Sequence, residues 1–532
     1  MTECALNLLT TPLLHALPNE PVTLPGLLAL LIRDEVESYP ALRPHQVPAW
    51  HMFLVQLAAL ALHRAGLSNL PDTEAAWAQA LRGLSPEFAD DEPWCLVVKD
   101  KSKPAFMQPP VPEGISLGNY ASTPDALDLL ITSRNHDLKQ AVARQAEAQD
   151  WVFALVSLQT SEGFGGAKNY GIVRMNGGSS SRPMLSLAPL AKDHAKSNEP
   201  SPGSWFRRDV STMIATRAEE GAKYGHVGYP QQGGLGLVWI VPWPEGEQLP
   251  LRALDLWFIE ICRRVRLSMQ QGCIACIRGT SITPRIEAKN MNGALGDPWA
   301  PVHKTANKSF TLSGGNFDHS KLVELLFSGD WNLPLLARPT SFEAEGGTMA
   351  LVAQALSRGN SKTEGFKSRI LPIGGRISRA LGPRRQELHE LAKKQMEEIS
   401  RFDAALRLAL TLAAAGGDAD KRRKEHYALT DGARTTLNHA ADAIFFERLW
   451  ARFEAQEAGR EALQAEDFRF VSELHRKAEE IFEAALPSMP CARLFRPRAE
   501  ARARRAFRSL IQRAFPNLLC TRESEDLSHA NA

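Results

Sequence analysis

The stretch RQELHELAKKQMEEISRFDAALRLALTLAAA, residues 385–415, reads as one unbroken helix, closed by the glycine pair Gly416-Gly417. Three stretches downstream share its character: TTLNHAADAIFFERLWARFEAQ (435–456), DFRFVSELHRKAEEIFEAAL (467–486) and RAEARARRAFRSLIQRAF (498–515). Gly459 and Pro487 fall in or near the breaks. Four helices of similar length joined by modest loops predict a four-helix bundle over 381–532, with a polar tail after Pro516. Upstream of about residue 385 the texture changes. From 184 to 345, short apolar runs such as GLGLVWIVPW (234–243) and FTLSGG (310–315) alternate with Gly, Pro and Asn, as in a mixed α/β region with short strands. No βαβ period is visible, so a doubly wound sheet is not expected. LPGLLALLI (24–32) and AWHMFLVQLAALALHRAGL (49–67) read as helices, the second apolar nearly all round and therefore buried. A helix is also expected from Asp137 to about 159, and Pro104, Pro109, Pro110 and Pro112 mark an irregular segment. The predicted class is α+β: a large irregular mixed α/β N-terminal domain, 1–380, followed by a C-terminal four-helix bundle, 381–532. No internal repeat is visible.

The totals set limits. A chain of 532 residues exceeds one ordinary core. Its 62 basic and 60 acidic residues leave a net charge of +2, so any polyanion-binding surface must be local. Seven scattered cysteines fit a reduced intracellular protein rather than a disulfide framework. The N-terminal apolar run has no preceding Lys or Arg, and the longest apolar stretch, 52–62, is too short to span a bilayer. The expectation is a cytoplasmic protein without a membrane partner.

Three segments gather charge and bare backbone. In TSEGFGGAKNYGIVRMNGGSSSRP, residues 160–183, six glycines fall between Gly163 and Gly178, with Lys168, Arg174 and Arg182 as cations and Glu162 the one acid. Glycine lets main-chain N–H groups approach a ligand with no Cβ in the way, and an adjacent cation suits a phosphate or a nucleic-acid groove. The bland alternative is a surface turn. The segment is neither a Walker loop, lacking GK[ST], nor a dinucleotide fingerprint. The second segment, 358–385, carries eight basic residues against Glu364 and reads as an exposed linker or a phosphate-facing loop. The third carries eight arginines between Arg493 and Arg513; some solvate the bundle and others are available to a nucleic-acid backbone.

Enzyme-like signals are thin. His136-Asp137 suits a metal phosphohydrolase, but such a site needs further ligands and no matching set stands out. Cys273 and Cys276 have half-site zinc spacing without a second pair. No nucleophile–base or paired-carboxylate arrangement is evident. No metal or cofactor is expected.

In order along the chain come AFMQPP, TSRNHDLK, LQTSEGFGGAKNYGIVRMNGG, AKNMNGALGDPWAPV, RGNSKTEGF, FFERLW and FRPRAEARARRAF. Together, from about Phe106 to Pro516, they resemble the large subunit of the type I-E CRISPR Cascade complex, the CasA family. The resemblance implies an irregular α/β domain followed by a four-helix bundle, and a non-catalytic DNA-recognition role. The partners it implies are CRISPR RNA, target double-stranded DNA, the other Cascade subunits and a helicase-nuclease. Gly163, Phe164, Gly165, Gly166, Ala167, Lys168 and Asn169 match the family's glycine loop, which enters the minor groove of the protospacer-adjacent motif (PAM). Lys289 matches its PAM lysine, with Arg285 as the second choice. Asn360, Ser361 and Lys362 match the wedge that starts strand separation, where relatives often carry glutamine. Asn135, His136 and Lys139 match a loop near the guide RNA and the PAM. Some relatives carry paired CxxC motifs; here no cysteine follows NHDLK, which makes Cys273 and Cys276 a remnant. The rival readings are a phosphohydrolase using His136 and Asp137, and a purely structural scaffold.

Overall fold

The computed structural model describes residues 4–127, 146–161, 181–190, 199–340, 348–359 and 362–518. They fall into two compact units, one of residues 1–317 with 329–382 and the other of 318–328 with 383–532.

The first unit forms around a helix that is apolar on every side. Helices α1 (Leu24–Arg33), α2 (Val47–Ala65) and α3 (Glu74–Arg82) are followed by α4 (Ala148–Ser161) and α5 (Pro202–Lys223). Every residue of α2 from Pro48 to Leu62 is buried. It packs against α3, α4 and α5, and two of its buried polar side chains are paired inside. His51 Nε2 lies 2.9 Å from Asp209 Oδ2, and the Gln56 amide donates to the carbonyls of Trp257 and Phe258. The helix stops at Gly66, whose φ of +66° turns its N–H back onto the carbonyls of Leu62 and His63. Helix α4 begins at Ala148, because residues 146 and 147 are already non-helical; the expected start at Asp137 is therefore not the start of this helix.

Around these helices lie strands β1 (Cys4–Asn7), β2 (Cys95–Val98), β3 (Asn119–Ala121), β4 (Met184–Pro189), β5 (Leu235–Leu237), β6 (Leu254–Ile259), β7 (Arg264–Gln270) and β8 (Cys273–Gly279). Then come β9 (Val302–His303), β10 (Lys308–Ser309), β11 (Trp331–Asn332), β12 (Met349–Gly359) and β13 (Lys362–Ile373). Among the described residues no sheet exceeds three strands: β1-β2, β3-β8-β7, β13-β12-β4, β10-β9-β11 and the parallel pair β5-β6. The class is mixed α+β, with small sheets and a helical C-terminal part. One expectation needs correcting. Residues 358–385 are not a linker: they include all of strand β13, paired in antiparallel register with β12 from Met349↔Ile373 to Gly359↔Lys362. The alternating pattern that would have announced a strand is blurred because β12 is buried on both faces.

The second unit is helical. Helix α6 (His319–Leu326) packs on α8 (Arg385–Ala414) and α10 (Asp431–Ala458), while α11 (Arg460–Ala485) and α12 (Arg496–Ala514) complete the long helices. The shorter α7 (Gly375–Ala380) closes the first unit and α9 (Lys424–Ala428) follows α8. A single residue, Gly459 at φ +122°, separates α10 from α11, a conformation open only to glycine at ordinary cost. Phe402 stacks on Phe515 at 4.7 Å and Phe482 on Phe507 at 4.6 Å, tying α12 into the bundle. Arg452, fully buried, donates to Glu398 at 2.7 Å, pairs with Asp467 at 3.0 Å and lies over the Phe470 ring. Removing one partner of such a set leaves a buried charge uncompensated. Of the arginines on α12, Arg498 and Arg502 hold the carbonyls of Gly416 and Gly417, and Arg504 pairs with Glu483. Its buried stripe is Ala499, Ala503, Phe507 and Ile511, spaced by four.

Candidate nucleic-acid interface

The glycine segment is held at its two feet. Helix α4 ends in buried Gln159, Thr160 and Ser161. Gln159 uses its whole amide: Nε2 donates to the carbonyls of Met107 and Arg263, and Oε1 accepts from the N–H groups of Cys262 and Arg263. At the other foot, the Arg182 N–H donates to the Ser161 carbonyl at 3.1 Å. The described residues on either side of 162–180 therefore meet at one point. Arg182 itself is not a ligand-facing cation, which corrects its place in the sequence reading. Its Nε donates to Asp297 at 2.6 Å, both side chains being at most 1% exposed, and Nη1 donates to Gln56. The guanidinium lies over the Trp299 ring.

Asp297 leads to the second element. Eight residues before it, Lys289 opens a 3₁₀ turn, Lys289–Met291, with Asn292 in the left-handed region at φ +50°. The turn is fixed from below by buried Ile286 and Ala288 and from the side by the Ser309 N–H, which donates to the Asn292 carbonyl at 3.0 Å. Lys289 and Asn290 are left exposed. Arg285 is different: it is 3% exposed, donates to the carbonyls of Pro242 and Val241, and burial lowers its guanidinium to about 10. It cannot reach a base edge, so it is withdrawn as the second choice for the PAM lysine.

The third element is the ribbon β12–β13. Strand β4 starts two residues after Arg182, its Leu185 N–H donating to the Trp299 carbonyl, and pairs with β12 up to Gln354↔Met184. Because the pairing is antiparallel, β12 continues past the start of β4, on the side where Arg182 enters. Five further residues at about 3.3 Å each carry the ribbon roughly 17 Å beyond that point. Buried Ser357 braces it, its Oγ accepting from the Gly314 N–H at 3.0 Å. The ribbon ends in the pair Gly359↔Lys362, so 360 and 361 are the two residues between paired ends. The described structure therefore ties the feet of the glycine segment to Asp297, eight residues along the chain from Lys289, and, through β4, to the base of the ribbon.

Residues 162–180, which hold Gly163, Phe164, Gly165, Gly166, Ala167, Lys168 and Asn169, lie outside the described residues. So do Asn135, His136, Asp137 and Lys139, and Asn360 and Ser361. Lys362 opens β13. Of the basic residues from 358 to 385, Arg369 donates to the Phe317 carbonyl, Arg384 pairs with Glu387 and Glu457, and Arg385 donates to the Leu326 carbonyl. Arg369 and Arg385 are spent within the fold, and Arg384 in ion pairs at the surface.

Cys273 is exposed while Cys276 is buried, and burial raises the Cys276 thiol to about 12, which keeps it protonated and a poor metal ligand. Among the described residues no three His, Cys, Asp or Glu side chains stand together as a metal site. What sequence reasoning missed was the Arg182–Asp297 pair and the closure at Ser161. No local signal marks either, since the partners are brought together only by folding.

No protein-family model matches the chain, and no curated protein does. Solved structures do. The CRISPR-associated protein Cse1 from Acidimicrobium ferrooxidans is 13% identical with a TM-score of 0.62, covering 97% of this chain and 99% of that one. Thermus thermophilus CasA (Cse1) is 14% identical with a TM-score of 0.60, covering 96% and 99%. Thermobifida fusca Cse1 is 14% identical with a TM-score of 0.55, covering 96% and 98%. The chain has the Cse1/CasA fold. The Cse1/CasA likeness spans nearly the whole of both chains.

Proposed function

We propose that the chain is a CasA-family large subunit of a type I-E Cascade complex, a non-catalytic DNA-recognition protein. The observation that supports this reading is the Cse1/CasA fold over nearly the whole chain, in which the feet of the glycine segment are joined and Lys289 is exposed. On this reading Gly163 to Asn169 enter the minor groove of the PAM with main chain, where a side chain would meet the groove wall. The minor groove's donor and acceptor pattern is degenerate, so several PAMs are tolerated rather than one. Lys289 reaches base edges from its rigid turn. Residues 360–362, at the end of the ribbon, wedge the first base pair. The task is energetically modest: each step opened costs about 1.4 kcal/mol of stacking, which the RNA–DNA heteroduplex largely restores. The partners are CRISPR RNA, the target duplex, companion Cascade subunits in the cytoplasm and a helicase-nuclease recruited afterwards.

The test uses the assembled complex with its guide RNA. Lys168→Ala and Lys289→Ala are expected to weaken binding of a target duplex at least about tenfold, the order of one base contact, and to spare a single-stranded target. Equal losses on both substrates would sink PAM reading. Replacing Gly165 and Gly166 by bulky residues should abolish PAM-dependent binding while the complex still assembles; a mere scaffold would keep its DNA affinity.

A further inference from the structure

A second surface lies in the helical unit, independent of the PAM reading. After α8 the chain turns through Gly416 and Gly417, and this turn is clamped to α12. Arg498 donates to the Gly416 carbonyl at 3.1 Å and Arg502 to the Gly417 carbonyl at 2.8 Å. Gly417, at φ +77°, approaches so closely that a Cβ there would stand 3.0 Å from the Ala499 Cα. Facing this turn is the connection from α11 to α12. Between them opens a groove of about 650 Å³, floored by Ala414, Ala415, Pro490 and Phe495 and edged by Asp420, Lys421 and Arg423. Its walls are fixed in advance, so the groove itself needs little ordering on binding.

Two features around this groove are otherwise unused. Leu494, beside Phe495, is 84% exposed, the highest among the large apolar side chains described, and Phe495 and Leu429 are each more than 40% exposed. Next to them runs an uninterrupted basic stretch, Lys421, Arg422, Arg423 and Lys424, all exposed, joined by exposed Arg493. Lys421 has a long i,i+3 contact with Asp418 at 3.5 Å; Arg423, Lys424 and Arg493 make no ion pair among the described residues. Cations alone would suit phosphates. Aliphatic Leu494 gives a nucleic acid nothing, whereas burying it against an apolar side chain is worth roughly tenfold to a hundredfold in affinity.

We propose that this end of the bundle docks an acidic segment of a protein partner. One apolar anchor side chain of that segment packs against Leu494 and enters the groove beside Phe495, while its carboxylates meet the 421–424 stretch. The probe is a set of short fluorescent peptides, half Asp and Glu, with a single central leucine, phenylalanine or serine, titrated onto the full chain. The leucine or phenylalanine peptide is expected to bind roughly tenfold tighter than the serine peptide. Leu494→Ser should erase that preference, and Arg423→Glu should weaken both peptides, with the melting temperature unchanged in each case. No detectable binding, no preference for an apolar centre, or a preference that survives Leu494→Ser overturns the proposal. Displacement of the peptide by single-stranded DNA of matched charge, at equal or lower concentration, also overturns it and assigns the surface to nucleic acid.

Discussion

Arg182 and Asp297 are two charges 2.6 Å apart with almost no access to water, and between them they fix where the glycine segment re-enters the fold. Arg182→Met should leave the Asp297 carboxylate buried without its partner and cost about 3–5 kcal/mol in chemical denaturation. The double variant Arg182→Met/Asp297→Leu should recover most of that loss, since a buried ion pair is often replaceable by apolar groups of similar volume. A double variant as unstable as the single one would show that the two residues do not act as a unit. At this scale the sequence was legible in part. It singled out Lys289, which is exposed, but it also counted Arg182 as a free cation, because nothing near SSSRP announces an acid 115 positions further on.

At the scale of elements, the first sheet depends on a clasp. Strand β1 pairs with β2, and Asn7 on β1 donates to Asp91, which also receives Arg82 from α3. Burial pushes the Asp91 carboxyl up, but the bonds from Arg82 and Asn7 outweigh it and hold the group below the ordinary carboxylate range. The unfolded chain therefore binds this proton more readily than the folded one. The clasp's stability is complete above the unfolded value of about 3.9 and is lost as pH falls through the lower folded value. Asp91→Asn should accordingly narrow its gap to the parent as acid is added below about pH 4, and keep the gap constant between about pH 5 and 7. A gap independent of pH throughout would remove Asp91 as its source. The helices were the elements most legible in sequence, α2 and the four long ones of the second unit above all. The ribbon β12–β13 was not, because β12 is specified by its partners β4 and β13 on either side rather than by its own alternation.

For the whole molecule, near-neutral total charge means that no general field draws a polyanion to it, so function has to reside in local groupings. No helix of the described residues is long and apolar enough to cross a membrane. The two compact units have their own interior polar anchors, Arg182 in the first and Arg452 in the second. Arg452→Met should release Glu398, whose carboxyl burial already pushes up, and cost about 3–5 kcal/mol. Hydrogen exchange should register this as lost protection in α8, α10 and α11, with α2 unaffected. Loss of protection in α2 of equal size would mean that the chain opens as one cooperative body.

Local pattern by itself settled α1, α2 and the four long helices of the second unit, their breaks at glycine and proline, and the α+β class, because helix periodicity and capping act over a few neighbouring residues. Which cations stay available was decided by tertiary structure. Arg182, Arg285 and Arg369 are consumed by carboxylates and carbonyls far along the chain, whereas Lys289 and the run from Lys421 to Lys424 remain in water. Desolvation and long-range pairing determine that outcome, and neither leaves a trace in the spacing of residues along a sequence.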